Sequence, residues 1–436
     1  MVQRAPAPVL WVLALGLWCC TIVHANGLEP VAPEAVGLSS ERLQRIEATL
    51  SRDIEAGELP GAVVMIARRG GLAYAKALGN LDPARDAPMA EEAIFRIYSM
   101  TKPLVSVAAM ILVEEGAMLL TDPVAKHLPA FAEPQIARPV LGDYARVSYD
   151  LTPAGNAMTV QDLLRHTAGL VYGEINRAEP VRTALAEAQL FQVDDMPFET
   201  RKPSPEAFVA GLAKVPLVHE PGTTWEYSLA SDLLGRVVEQ VAGMGLEAFL
   251  HRRLFEPLGM KDSGFHVPEE DLQRLAEPFA PDPAKGIPPL FDVANPPGNA
   301  SGGAGAVATA MDYLRFSQML LNGGALDGVR ILSPTTVQLM TADHLGGAIE
   351  QMTGPGPLLL GTPGYGFGLG FMVRLADGIA GVPGSKGEFM WGGFGGTFFW
   401  VDPDEELAAV FMSQSVPNRA HYRRLIKQLA YQAIVD

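Results

Sequence analysis

The hydrophobic pattern predicts one helix that is apolar on nearly every side, beginning near Ser99 and ending at Gly116. A strand-like run over 94–98 precedes it. Pro103 fits the first helical turn, where a missing N–H group costs no hydrogen bond. A helix without a polar face is typical of a buried element, so we expect this one to lie in the core.

Helix-like and strand-like patterns alternate along the rest of the chain. Between 116 and 295 the patterns are mostly helical, and the proline-rich stretch 278–297 is typical of an ordered loop. The outer parts mix both patterns, so a sheet domain in two halves around a helical insertion fits this order. The other predicted helices cover 40–56, 159–169, 206–214, 229–242, 246–254, 309–323 and 418–433, and the other predicted strands cover 62–68, 72–78, 367–373, 389–391, 397–401 and 407–413.

Composition is consistent with a large globular protein. The chain has 436 residues, of which 48% are hydrophobic, enough for one large or two ordinary domains. Its formal net charge of −16 argues against nucleic acid or an anionic membrane as partner.

Residues 1–25 are predicted to be a cleaved signal peptide. Arg4 gives the N-terminal region a positive charge, residues 9–23 form an apolar stretch, and small residues follow at a cleavage site. The apolar stretch is shorter than the about 20 residues of a membrane span, so we expect a periplasmic or secreted protein without stable membrane insertion. Both cysteines, Cys19 and Cys20, lie in this segment. The mature chain is therefore expected to form no disulfide.

Ser99 and Lys102 form an S-x-x-K motif at the start of the buried helix. A three-residue offset places both side chains on one helical face, where a desolvated lysine can take the proton of a serine nucleophile. The N-terminus of the helix also offers a partial positive charge to a developing oxyanion. Four loosely specified positions recur by chance, so the motif alone is more typical of an N-capping serine followed by an ordinary lysine.

Two further sites strengthen the catalytic interpretation. Tyr227 precedes the helix predicted over 229–242, and a tyrosine held against a lysine can act as general base. Trp391, Gly392 and Gly393 lie in a glycine-rich strand, where a substrate can approach the backbone closely. The alternatives are a tyrosine packed at a domain junction and a glycine-rich hairpin.

Along nearly all of its mature length, the chain resembles the class C β-lactamase-like, penicillin-recognising serine hydrolases. That resemblance implies a β-lactamase/DD-peptidase-like α+β fold, in which an antiparallel sheet flanked by helices (26–115 and 296–436) carries a mainly helical inserted domain (116–295). It also implies that Ser99 is the nucleophile, that Lys102 and Tyr227 activate it, and that 391–393 form the third motif. The segments that carry the resemblance are Ser99-Met100-Thr101-Lys102, Leu163-Leu164-Arg165-His166-Thr167-Ala168-Gly169-Leu170, Trp225-Glu226-Tyr227-Ser228, Pro257-Leu258-Gly259-Met260, Tyr365-Gly366-Phe367-Gly368-Leu369-Gly370 and Phe399-Trp400-Val401-Asp402-Pro403.

The sequence departs from the β-lactamases at two substrate contacts. Leu229 stands where those enzymes have the asparagine of Y-x-N, and Trp391 stands where they have the lysine of K-T-G. Loss of a charged contact removes roughly 1.5–3 kcal/mol. A W-G-G third motif is instead what the family VIII carboxylesterases show, which favours neutral acyl esters as substrates.

Other catalytic signatures are missing from the sequence. It has no G-x-S-x-G elbow of the α/β-hydrolases. Its eight histidines include no H-E-x-x-H or similar spacing, so we expect no metal and no cofactor. His166 is better explained as a helix-end histidine bonding the backbone than as a base.

The sequence therefore predicts an exported serine esterase that cleaves small-molecule esters through a Ser99 acyl-enzyme. By alignment, the N–H groups of Ser99 and Phe394 hold the oxyanion. The enzymatic alternatives are a β-lactamase, a D-amino-acid peptidase and an acyltransferase. The alternative of another class is a catalytically silent ligand-binding or sensor module.

Overall fold

An eight-stranded antiparallel sheet, built from both ends of the chain, is the centre of the fold. The computed structural model describes residues 28–141, 147–176, 178–190 and 200–436, so the predicted signal peptide lies outside the described residues. The strand order is β12-β13-β14-β15-β16-β1-β2-β3, and the fold is the expected α+β type. The strands are β1 (Gly61–Arg68), β2 (Gly71–Asp82), β3 (Ala87–Pro88), β4 (Ile94–Arg96), β5 (Gln135–Leu141), β6 (Val147–Pro153), β7 (Thr224–Trp225), β8 (Val307–Thr309), β9 (Ala325–Leu326), β10 (Val329–Arg330), β11 (Glu350–Gln351), β12 (Tyr365–Phe367), β13 (Met372–Arg374), β14 (Phe389–Gly392), β15 (Phe398–Asp402) and β16 (Leu407–Met412).

Most predicted helices are confirmed, and their first residues show why they begin where they do. The hydroxyls of Ser39, Thr159 and Thr309 each accept a hydrogen bond from a backbone N–H of the first turn, which satisfies a donor that the helix leaves open. The helices are α1 (Ser40–Glu55), α2 (Thr101–Glu114), α3 (Val124–His127), α4 (Val160–Leu164), α5 (Glu179–Glu187), α6 (Pro205–Leu212), α7 (Ala230–Ala242), α8 (Leu246–Leu250), α9 (Glu256–Leu258), α10 (Ala310–Leu321), α11 (Pro334–Met340), α12 (Pro355–Leu359) and α13 (Arg419–Tyr431). None of the described helices is long and apolar enough to cross a membrane.

Helices cover both faces of the central strands. Side chains alternate between the two faces of a strand. Accordingly, Phe399 of β15 packs against Tyr313 of α10, and Phe411 of β16 stacks on Tyr422 of α13. Every residue of β15, β16 and β1 is buried, because each lies between two helical layers.

Two of the differences from the sequence prediction concern strands. The single strand predicted over 367–373 is wrong: β12 ends at Phe367 and β13 begins at Met372, with Gly370 in the left-handed region (φ 94°) between them. That backbone conformation favours glycine and reverses the chain. The second difference is the hairpin β5–β6 within the mostly helical region. Its outer residues are exposed on both faces, so they lack the alternation that identifies a strand.

The proline-rich loop packs against the segment that carries Ser99. The Phe291 ring lies 4.3 Å from the Tyr98 ring, centroid to centroid. The Phe291 backbone N–H also donates to the Tyr98 hydroxyl over 3.2 Å. This loop therefore fixes the residue that precedes the predicted nucleophile.

Candidate active site

The structure brings Ser99, Lys102 and Tyr227 together at the start of α2. Lys102 Nζ donates to Ser99 Oγ over 3.3 Å, and the Tyr227 hydroxyl donates to Ser99 Oγ over 2.6 Å. Ser99 and Lys102 are neighbours because one helical turn separates them, whereas Tyr227 arrives from the segment just before α7. The serine oxygen is thus within proton-transfer distance of two groups that can exchange a proton.

Ser99 lies in a short 3₁₀ turn, Tyr98–Met100, that leads directly into α2. Tyr98 has φ 45°, a left-handed conformation that is costly for a bulky residue and is found where the surroundings enforce it. The Thr101 hydroxyl donates to the Tyr98 carbonyl over 2.6 Å, and the Tyr98 ring packs against Phe394 at 5.5 Å. These contacts hold the serine at the N-terminus of the helix, where the helix dipole favours a negative charge.

Lys102 is buried and donates three hydrogen bonds, which equals the donor capacity of an ammonium group. Besides Ser99, it donates to the Tyr172 hydroxyl over 3.0 Å and to the Gly303 carbonyl over 2.7 Å. Burial, and then electrostatic interaction with Tyr227 and Asp232, raises the pKa of Tyr172 well above its ordinary value, so its phenol is neutral at neutral pH.

The sequence did not predict the roles of Tyr172 and Gly303. Tyr172 lies two residues past the family-like segment that ends at Leu170, and Gly303 belongs to the glycine-rich run 301–305. Either signal could have drawn attention to these positions. Neither shows that they meet Lys102, because these contacts join residues that are 70 and 201 positions apart.

A buried carboxylate holds the loop that carries Gly303. Asp232 Oδ1 accepts hydrogen bonds from the Thr200 hydroxyl (3.0 Å), the Ser301 hydroxyl (2.5 Å) and the Gly303 N–H (3.2 Å). The carboxylate therefore binds the N–H of the same residue, Gly303, whose carbonyl accepts from Lys102. Asp232 fixes that carbonyl and adds a nearby negative charge to the surroundings of the lysine.

Aromatic rings enclose Tyr227. The rings of His166, Tyr172 and Trp391 lie 5.1, 5.3 and 5.4 Å from the Tyr227 ring. Lys102 Nζ lies 4.6 Å from the centroid of the same ring, within the range of a cation–π contact. Tyr227 is consequently held in one position, with its hydroxyl directed at Ser99.

His166 has a different partner from the one expected. Its backbone is left-handed (φ 58°), and its ring Nδ1 lies 3.1 Å from the Ser228 hydroxyl. The prediction that this side chain bonds the backbone is therefore wrong. Burial, reinforced by the charge of Lys102, lowers the pKa of His166 well below its ordinary value. His166 is thus a neutral residue that supports the Tyr227 segment.

The third motif forms the end of β14. Trp391 is 1% exposed and packs edge-on against Phe367 at 5.3 Å. A Cβ atom at Gly392 would lie 2.9 Å from the Arg423 guanidinium carbon, and one at Gly393 would lie 2.3 Å from the Ile97 carbonyl oxygen. The space that these glycines leave is therefore filled by the protein's own groups.

Phe394 and Leu229, the other two predicted substrate contacts, have different surroundings. Phe394 follows the W-G-G strand and lies between the Tyr98 ring and the guanidinium of Arg419. Leu229 precedes α7 and is 1% exposed, so it affects a substrate only through the shape of the wall into which it packs. The described residues contain no group of three or more His, Cys, Asp or Glu that could hold a metal ion.

Comparisons with known proteins identify relatives in sequence and in structure. A family model named Beta-lactamase matches residues 46–432. Esterase EstB of Burkholderia gladioli is 32% identical over 403 residues, which cover 88% of this chain and 93% of EstB. Lovastatin esterase of Penicillium rubens is 31% identical over 394 residues, covering 85% of this chain and 92% of that enzyme. The structure of EstCE1, "a hydrolase with promiscuous acyltransferase activity", matches with a TM-score of 0.70 and 29% identity over 90% of this chain and 99% of its own.

Proposed function

The chain belongs to the β-lactamase family, as its resemblance predicted, and we propose that this serine hydrolase is an exported carboxylesterase acting through a Ser99 acyl-enzyme. One observation carries the proposal. Ser99 Oγ lies 2.6 Å from the Tyr227 hydroxyl and 3.3 Å from Lys102 Nζ, and Lys102 and Tyr227 are both buried while Ser99 is partly exposed. A binding module would not need a hydroxyl held against two proton-exchanging groups.

Acylation begins when Ser99 gives its proton to the Lys102–Tyr227 pair. The pair can accept this proton because one of its two groups is unprotonated in the reacting state. Ser99 Oγ bonds to the ester carbonyl carbon, and the C=O electron pair moves onto the carbonyl oxygen. The N–H groups of Ser99 and Phe394 stabilise that oxyanion. The intermediate then collapses, and the leaving alcohol takes the proton from the pair.

Deacylation repeats these steps with water. Water gives a proton to the Lys102–Tyr227 pair as its oxygen attacks the acyl carbon. The carboxylic acid leaves as Ser99 regains a proton from the same pair. No step requires a group from outside the chain other than ester and water.

The third motif supports esters as the substrate class. Trp391 places a neutral, buried ring where a β-lactamase has a lysine for the substrate carboxylate, and that ring packs on Tyr227. Two relatives at or above 30% identity are named esterases. Both observations support neutral acyl esters over anionic β-lactams.

The test compares p-nitrophenyl esters of graded length with a chromogenic cephalosporin. We expect a higher kcat/KM for the best ester and a Ser99-linked acyl adduct by mass spectrometry. Ser99→Ala should abolish ester cleavage without lowering Tm, while the exposed hairpin variant Ser148→Ala should behave as the wild type. Equal efficiency on the cephalosporin would replace the esterase proposal by the β-lactamase alternative, and an active Ser99→Ala variant would contradict the mechanism.

Transfer of the acyl group to an alcohol is the second function we propose, because EstCE1 is described as having promiscuous acyltransferase activity. The same acyl-enzyme serves both reactions, with an alcohol in place of water. Adding a short primary alcohol to the ester assay should produce the transfer ester and accelerate release of p-nitrophenol if deacylation limits the rate. Formation of the acid alone at high alcohol concentration would reject this second function.

We also propose export, from Arg4 and the apolar stretch 9–23. The mature N-terminus should lie near Asn26, in a periplasmic or external fraction. N-terminal sequencing that finds Met1 intact in the cytosol would refute it, without affecting the esterase proposal.

A further inference from the structure

Arg423 of α13 lies directly behind the W-G-G strand, with its guanidinium fully inside the protein. One terminal nitrogen donates to the Gly393 carbonyl over 2.6 Å, and the other donates to the Leu359 carbonyl over 3.2 Å. It touches this strand from the face opposite the Trp391 side chain, since Gly392 has no side chain to keep it away.

Burial of this charge destabilises the fold. Among the described residues, Arg423 has no carboxylate partner, and its Nε has no hydrogen-bond partner. Burial lowers the pKa of Arg423 to about 9, with the charge of Arg419 adding to that effect and Tyr227 opposing it. The guanidinium is thus still charged at neutral pH. An unpaired buried cation destabilises a protein, so its position calls for a role that its contacts explain.

The contact to Gly393 reaches the proposed oxyanion hole through a single peptide group. The Gly393 carbonyl and the Phe394 N–H belong to the same planar, trans peptide, so they point in opposite directions. A donor that fixes the carbonyl therefore fixes the direction of the N–H. A charged donor also draws electron density from the carbonyl, which makes the N–H on the other side a stronger donor.

Two backbone hydrogen bonds also hold this turn, one on the N–H of the preceding Gly392–Gly393 peptide and one on the Gly393 carbonyl itself. The Gly393 N–H donates to the Thr397 carbonyl over 2.8 Å, and the Gly396 N–H donates to the Gly393 carbonyl over 3.2 Å. Arg423 and the Gly396 N–H both donate to the Gly393 carbonyl, and of these two donors Arg423 carries the charge.

We propose that Arg423 is a positioning residue of the oxyanion hole, which orients and polarises the Gly393–Phe394 peptide from behind the sheet. The inference rests on the proposed esterase function, because it assigns the Phe394 N–H to the oxyanion of that reaction. It also explains the second position of the W-G-G motif. A side chain at Gly392 would displace the guanidinium from the peptide that it holds.

The test uses Arg423→Gln, which keeps a neutral donor, and Arg423→Lys, which keeps the charge. Loss of an oxyanion donor costs about 10²–10³ in kcat, so weakening one should lower kcat by about 10- to 100-fold in Arg423→Gln, with KM changed by less than about threefold. The inhibition constant of phenylboronic acid, which forms a tetrahedral adduct on serine, should rise by the same factor as kcat falls. Arg423→Lys should lie between Arg423→Gln and the wild type in both measurements.

Arg374→Gln is the control for loss of a buried arginine, because Arg374 is also buried and donates to a backbone carbonyl, that of Val382, although it pairs with Glu388 as well. We expect it to lower Tm without a parallel change in boronate affinity. If Arg423→Gln does not fold, Arg423→Lys carries the same test. Wild-type kcat and boronate affinity in a folded Arg423 variant would overturn the inference, while a Ser99 acyl adduct in the wild type would leave the esterase proposal standing.

Discussion

The ammonium group of Lys102 donates a hydrogen bond to the Tyr172 hydroxyl over 3.0 Å. With its bonds to Ser99 and Gly303, this contact occupies every N–H of the lysine. An ammonium with three fixed acceptors cannot rotate away from the serine. Tyr172 therefore helps to direct the lysine at the nucleophile without touching the nucleophile itself.

Tyr172→Phe should lower kcat/KM about tenfold, because it removes one hydrogen bond to a charged group, worth roughly 1.5 kcal/mol. Steady-state kinetics on a p-nitrophenyl ester would measure it. Tyr149→Phe, in the β5–β6 hairpin, is the control for loss of a tyrosine hydroxyl. Unchanged kinetics in Tyr172→Phe would mean that Ser99 and Gly303 suffice to hold the lysine.

Asp232→Asn should impair catalysis although it preserves the shape of the side chain. Hydrogen bonds to a carboxylate are roughly twice as strong as neutral ones, so the loop that carries Gly303 should be less firmly held. We expect kcat to fall at least about tenfold with a smaller change in KM, together with a lower Tm. Asp150→Asn, an exposed substitution in β6, should alter neither quantity. If Asp232→Asn lowered Tm while kcat stayed at the wild-type value, Asp232 would have no part in placing the lysine.

His166→Asn should flatten the loss of stability in mild acid. The pKa of His166 is lowered in the fold, so below about pH 6.5 the unfolded state binds the extra proton and the folded state does not. Stability from this group is present above that pH and is lost as the pH falls through it. Asparagine can reproduce the Nδ1 contact and tolerates a left-handed backbone.

The measurement is the free energy of unfolding at about pH 7.5 and about pH 5.5. The wild type should lose about 1 kcal/mol more between them than the variant. His251→Asn, an exposed substitution in the turn after α8, controls for the loss of a histidine. Equal slopes in wild type and His166→Asn would show that His166 can be charged inside the fold.

Trp391→Lys should not convert the enzyme into a β-lactamase. Trp391 is 1% exposed, so the substitution buries a third cation beside Lys102 and Arg423 and removes a packed ring. We expect the free energy of unfolding to fall by about 3–5 kcal/mol, with no gain of cephalosporin hydrolysis. Trp391→Phe, which keeps an apolar ring, should be much milder. A stable lysine variant that cleaves a cephalosporin would show that the site has room for the charge.

The sequence was informative where the signal was local. Ser99 and Lys102 are one helical turn apart, and the caps Ser39, Thr159 and Thr309 act within their own first turns. Those features follow from spacing and side-chain chemistry alone.

Features made by contacts between distant segments were not predictable in the same way. Arg423 reads as one of several basic residues in the last helix, and nothing in its neighbours shows that it meets Gly393. The left-handed backbone at Tyr98 is imposed by packing from a loop nearly two hundred residues later, since Phe291 and Tyr98 are 193 positions apart. The hairpin β5–β6 was not predictable from the hydrophobic pattern, because a strand exposed on both faces shows no hydrophobic period.

The pairing of β1 with β16, which joins the two ends of the chain, also determines when the enzyme can become active. The Thr397 hydroxyl donates to the Ile97 carbonyl, a contact between the segment after the W-G-G strand and the segment that leads to Ser99, and it spans 300 positions. Contacts this distant in sequence give a high contact order and slow folding. During synthesis, the nucleophile is made long before the strands that complete its surroundings, so a nascent chain has no catalytic centre until its last strands emerge from the ribosome.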